Sequence, residues 1–177
     1  MARVSFVKRE DLPESQRPIY DRIGGSRGVK TIGPFEALLH SPEGTSHVTA
    51  VGEYLRFQSE LPAATRELAI ITVARELDAE IEWKSHEPLA RKAGVSDASI
   101  MAIQEGKAPA GLKPDEATVV GFTLELMRTH RLGDNAFNAM LGQVGTKNLI
   151  DLIFVIGYYT LLSMAFSALD LKWTPRP

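Results

Sequence analysis

Glu82 and His86 stand four residues apart in the run Glu-Trp-Lys-Ser-His. On a helix that spacing puts both side chains on one face, about one turn apart. A carboxylate there can hold the imidazole in one tautomer and favour its charged form. His86 is then a candidate proton donor near neutral pH. Glu67 precedes them, set among Leu68, Ile70 and Ile71. A carboxylate buried there without a partner is costly, so it needs a partner or a function. If the flanking helices form an antiparallel hairpin turning at Leu77-Asp78, Glu67 returns to the level of Glu82. Three acid–base groups then share one place. His86 would donate the proton, Glu82 would orient it, and Glu67 would be a second acid–base or substrate-positioning group.

Each of these residues also has a plain structural reading. A Glu–His pair at this spacing is common on exposed helix faces and contributes only about 0.2–0.5 kcal/mol. Glu67 near a helix start complements the helix dipole. Trp83 follows Glu82 and points about 100° away from it, which suits packing or a pocket wall. Tyr158 and Tyr159 are adjacent and point in different directions; one suits the core, the other a hydrogen bond into a site. His47 is a candidate substrate contact, and, like His40, equally a surface or capping group. His130 ends a helix, where a cation suits the dipole. Glu67, Glu82 and His86 could in principle hold a divalent ion, but they match no usual zinc signature. No metal and no cofactor are assigned.

The elements that must position these groups read as helices throughout. Leu12-Pro13-Glu14 resembles a helix start, with the helix running through Ile19, Tyr20 and Ile23 to a stop at Gly24-Gly25. Pro34 to His40 reads as a short helix. A longer one opens at Pro42, and Leu61-Pro62 separates it from the next. That next helix is apolar around most of its circumference, as a helix buried on several sides would be. Residues 79–93 form a further helix ended by Gly94, and Ser96 caps its successor. Residues 107–113 are a Pro/Gly loop. Pro114 starts a helix that Gly133-Asp134 breaks; Asp134 caps another, broken at 142–145; Thr146 caps the last, 147–171. No run shows sustained two-residue alternation, so the fold class is all-α, in one domain spanning 1–177: an N-terminal extension over 1–33 and a core over 34–171.

Composition narrows the function classes. The chain has 177 residues, 44% hydrophobic and 24% charged, with formal net charge −2 and no basic block. That argues against nucleic acid, whose phosphates need clustered Lys and Arg. The N-terminus carries charges where a signal peptide needs an apolar run. Residues 149–171 are the most apolar stretch, but Asp151, Gly157, Ser163, Ser167 and Asp170 interrupt it, so a buried helix is expected and no membrane span. The expected location is cytoplasmic. There is no cysteine; within these residues there are no disulfides, thiolate metal sites or cysteine nucleophiles.

The segment from Arg66-Glu67-Leu68 through Glu82-Trp83-Lys84-Ser85-His86 resembles the carboxymuconolactone decarboxylase family, which includes the AhpD-like alkylhydroperoxidases. Residues 35–42 (Phe-Glu-Ala-Leu-Leu-His-Ser-Pro) and Ile156-Gly157-Tyr158-Tyr159 support it, and the resemblance covers roughly 34–171. It implies an AhpD-like helical domain around a helical hairpin, and a homo-oligomer, commonly a trimer or hexamer. In the peroxidase branch a Glu precedes a Cys-x-x-Cys and then a His. Here the Glu falls on Glu67 and the His on His86, while the two thiol positions fall on Ala79 and Glu82. Thiol peroxidase chemistry needs both sulfurs, so the resemblance points to the decarboxylase branch. The expected activity is a carboxy-lyase using a Glu–His pair on a small lactone or carboxylated ring. The alternatives are a hydrolase or isomerase on a related substrate, or a non-catalytic oligomeric binding protein of the same fold.

Overall fold

A computed structural model describes residues 2–173. The described residues form helices and connecting turns, without a strand. A short 3-10 turn at Arg9–Asp11 is followed by α1 (Arg17–Arg27), α2 (Phe35–Leu38), α3 (Pro42–Phe57), α4 (Ala63–Glu76), α5 (Glu80–Lys92), α6 (Asp97–Gln104), α7 (Pro114–Thr129) and α8 (Asp134–Ala168). The chain divides into two compact units. One comprises the chain up to Gln58 with Phe166–Lys172; the other is built from Ser59–Ala165. The divide between the two units falls after Gln58.

The first unit packs Leu12, Tyr20, Ile23, Ile32 and Leu39 together, with Val7, Ile19 and Phe35 against them. Glu36 is buried there; it accepts from the Tyr20 hydroxyl at 2.8 Å and pairs with Lys8. Helix α1 departs from the sequence expectation at both ends. A helix begun at Pro13 would carry Pro18 in its interior, where the missing N–H and the ring clash break the ladder. The helix therefore starts at Arg17, with proline in its first turn. It then runs through Gly24 and Gly25 and stops only at Gly28, whose φ of 64° makes the left-handed cap. The Gly28 and Val29 amides donate back to the Gly25 and Gly24 carbonyls. Gly24 is required by close approach: a Cβ there would lie 2.8 Å from the Val29 carbonyl oxygen.

In the second unit α4 is buried on nearly every side, from Thr65 through Ala74. It packs chiefly on α5 and α7. Arg128 near the end of α7 forks both oxygens of Glu76 at the end of α4, at 2.7 and 2.8 Å. Ser96 caps α6 as expected, accepting from the Ser99 amide. Helix α7 ends earlier than Gly133, at Thr129, where His130 takes the left-handed cap with φ 59°. The break expected at 142–145 is a kink and not a loop: α8 continues past Gly145, the one non-helical residue inside it (φ 75°, ψ 167°). By length and hydropathy α8 could cross a membrane, but 56% of its most apolar window is buried within the molecule, as a core helix would be.

Candidate active site

The hairpin of α4 and α5 builds the site. The turn between them is tight, with Asp78 at φ 47°, and Leu77 and Ala79 amides donate back to the Val73 and Ala74 carbonyls. Glu67 lies eleven residues before Asp78 and His86 eight after it, and the antiparallel return of α5 brings the two side chains together. The His86 Nδ1 lies 2.7 Å from Glu67 Oε2. On the other side of the ring, Nε2 lies 3.7 Å from Glu82 Oε2, one helical turn back along α5. Glu67, Glu82 and His86 are 3%, 5% and 4% exposed. The surface-pair reading therefore does not apply to Glu82 and His86.

Expectation and geometry differ on which carboxylate orients the imidazole. The closer partner is Glu67, from the neighbouring helix, and 3.7 Å from Glu82 exceeds hydrogen-bond length. The i,i+4 spacing fixes a common face, but side-chain reach sets the final distance. An ionised Glu67 can only accept, so the network assigns the ring proton to Nδ1 and leaves Nε2 toward Glu82.

Burial pushes the Glu67 carboxyl up, but the hydrogen bond and charge of His86, with the charge and hydrogen bond of Arg66, outweigh it. The net result is a carboxyl held below its ordinary value. Spacing alone does not single out Arg66. Its Nε donates to Glu67 Oε1 at 3.2 Å. The signal is the dipeptide itself: a carboxylate buried beside three aliphatic residues needs a cation, and Arg66 is the adjacent residue.

Tyr159 of α8 closes the ring's side, edge to face with His86 at 4.8 Å between centroids. Tyr158 stacks on Tyr159 the same way, at 5.1 Å. Both tyrosines are buried and form a continuous aromatic contact beside His86. Trp83 is half-buried on α5. His47 is exposed on α3 and belongs to the first unit.

The two carboxylates face opposite nitrogens of one ring, an arrangement suited to moving a proton across an imidazole and not to surrounding one ion. Among the described residues no three His, Cys, Asp or Glu side chains group as a metal site would need.

Comparison with known proteins gives this hairpin its relatives. Residues 42–125 match the family described as the carboxymuconolactone decarboxylase family. Over that segment, a little under half of its length, the chain is similar to that family. No curated protein matches it. Among solved structures, an uncharacterised peroxidase-related protein with an AhpD core from Ralstonia eutropha JMP134 superposes with a TM-score of 0.79. Identity is 14%, over 98% of this chain and 92% of that one. A second peroxidase-related protein, from Silicibacter sp. TM1040, gives 0.76 at 14% identity, covering 97% and 91%. The debrominase Bmp8 in complex with 2,3,4-tribromopyrrole gives 0.74 at 14% identity, covering 96% and 90%. At these identities the likeness is one of fold. The 177 residues contain no cysteine, and so no thiol nucleophile.

Proposed function

We propose that this chain is an acid–base enzyme of the carboxymuconolactone decarboxylase type, a carboxy-lyase acting on a small lactone or related carboxylated ring. The observation that carries the reading is a histidine buried between two carboxylates, one at hydrogen-bond length and one 3.7 Å from the opposite nitrogen, in a chain without a thiol. Glu67 fixes the tautomer and orientation of His86. Nε2 is then the working nitrogen, and Glu82 is a second proton station beside it. A reacting atom about 3 Å from both would sit where a proton can reach it. Loss of CO₂ leaves an electron pair on the ring carbon, delocalised toward a carbonyl; His86 in its imidazolium form, with a second proton on Nε2, delivers that proton and is left as the neutral Nδ1–H tautomer. A fold that holds a small bromopyrrole in the debrominase is of a size that suits a small ring substrate here. Trp83, Tyr158 and Tyr159 are the proposed substrate contacts.

The same chain is proposed to work as a homo-oligomer, a trimer or hexamer, in the cytoplasm. On α8, Ile150, Phe154, Leu161 and Met164 are all exposed, at 44–59%. With Gly157 between them they recur at steps of four, three, four and three, the spacing of a helix-packing seam.

The test is CO₂ release from a panel of carboxylated lactones and β-keto acids, with the His86→Ala variant beside the wild type. Release that vanishes in the variant supports the assignment. Release of the same size in both removes His86 from the mechanism, and no release from any substrate in the panel removes the lyase reading.

A further inference from the structure

We propose that Arg66 is the oxyanion-stabilising residue of this site, its terminal N–H groups donating to the substrate carbonyl oxygen where negative charge collects. The inference rests on the acid–base reading and supplies the electrophilic half that the reading lacks.

Both oxygens of Glu67 are engaged, Oε1 by Arg66 at 3.2 Å and Oε2 by His86 at 2.7 Å. Glu67 is thereby a bridge and not a group that reaches substrate. Arg66 spends only its Nε–H on that bridge, out of five donors. Its two terminal nitrogens make no hydrogen bond or ion pair among the described residues, and they are not sealed from solvent. The Arg66 side chain is 15% exposed, against 4% for Glu67 and 5% for His86. In this buried array the guanidinium is the end that a ligand meets from outside, and Glu67 holds it and His86 on either side of one carboxylate. A substrate that uses both must reach from the guanidinium past Glu67 to Nε2, on the ring edge opposite Nδ1.

The chemistry says which substrate oxygen it touches. In the proposed step the C–C bond to the carboxylate breaks and its electron pair moves to the ring carbon. Conjugation carries the charge onto the carbonyl oxygen as CO₂ departs. The pair then returns to carbon as the His86 imidazolium gives up its Nε2 proton and becomes the neutral Nδ1–H tautomer, and solvent restores the Nε2 proton. If Arg66 paired with the departing carboxylate, it would stabilise charge where charge must leave and slow the reaction. Only an interaction that strengthens as the transition state forms accelerates the step. A permanently charged donor in a largely water-excluded place meets that requirement at the developing oxyanion.

The probe is tetronate, the planar anion of a five-membered lactone enol, with neutral 2(5H)-furanone as its uncharged counterpart, both titrated calorimetrically into the full chain. Wild type is expected to bind tetronate in clear preference to 2(5H)-furanone. Arg66→Gln should weaken tetronate by about tenfold or more, the loss of a charge-assisted hydrogen bond, and leave 2(5H)-furanone within about twofold of wild type. Arg66→Lys, which keeps the charge but not the fork, should fall between them. If Arg66→Gln is unfolded, the Arg66→Lys titration decides: wild-type affinity for tetronate overturns the proposal, a partial loss supports it. Equal binding of tetronate by wild type and Arg66→Gln overturns it, as does a wild type that does not distinguish the two probes. CO₂ release without tetronate preference would sink this inference alone; tetronate preference without CO₂ release would sink the lyase reading alone.

Discussion

His86 is held by a neighbour on another helix, and that sets what its removal does. Losing one acid–base group from a positioned site costs about 10²–10⁴ in rate. His86→Ala is expected to lose turnover in that range while its circular dichroism stays helical, checked by CO₂ release on whichever panel substrate the wild type accepts. Glu67 gives a prediction independent of substrate. Its folded-state carboxyl lies below its ordinary 4.5, so it contributes stability above that value, and the contribution is lost as pH falls through the lower folded value. Thermal unfolding of wild type from about pH 7 to about pH 3 should therefore fall more steeply than that of Glu67→Gln. Parallel curves would mean Glu67 is not held ionised by His86 and Arg66. At this scale the sequence was partly legible. The types and spacing of Glu67, Glu82 and His86 pointed to one cluster, because helical periodicity and a short hairpin turn are local properties. Which carboxylate comes closest was not legible, since 2.7 against 3.7 Å depends on how two helices seat on each other. Arg66 escaped because an arginine in a helix's first turn reads as ordinary until its neighbour is known to be buried.

Elements were easiest to read where a residue's own chemistry ends them. Ser96, Gly94 and the prolines at 42 and 114 stand at or beside helix ends as expected. Gly24-Gly25 misled because two glycines usually break a helix, and the contact that keeps Gly24 small comes from a return of the chain at Val29. The two glycines should therefore respond oppositely. Gly24→Ala should destabilise, since its Cβ would press on backbone at 2.8 Å. Gly25→Ala, exposed with nothing within 4 Å, should stabilise by about 0.5–1 kcal/mol. Denaturant midpoints of the two variants check the sign. Gly145 belongs to the same class of argument with a different cause. Its φ of 75° and ψ of 167° fall in a region essentially reserved for glycine. A Cβ added there would meet no atom within 4 Å, so space is not what excludes a side chain. Gly145→Ala should cost about 1–3 kcal/mol through the backbone alone; an unchanged midpoint would mean the kink relaxes at no cost.

At the scale of the whole molecule, the apolar seam of α8 carries the assembly prediction. Sedimentation at micromolar concentration is expected to show an oligomer, and Phe154→Asp to shift it toward monomer by placing a charge on the seam. A wild type that sediments only as monomer would count against the oligomer, and an unchanged Phe154→Asp would move the interface elsewhere. The all-helical class was legible because no segment alternates in twos while several repeat at the helical period. The division into two units was not, since it depends on residues 166–172 returning to the N-terminal segment, a long-range pairing that local periodicity does not encode.

The edge-to-face contact of Tyr159 with His86 has a spectroscopic consequence. Circulating electrons of the phenol ring, 4.8 Å away, displace the carbon-bound imidazole protons from the positions they would hold in an unfolded chain. The chain has four histidines, and no such ring contact accompanies His40, His47 or His130 among the described residues. One imidazole signal should stand apart from the rest in a proton spectrum, and move when a compound enters beside it, before any reaction has been found to follow.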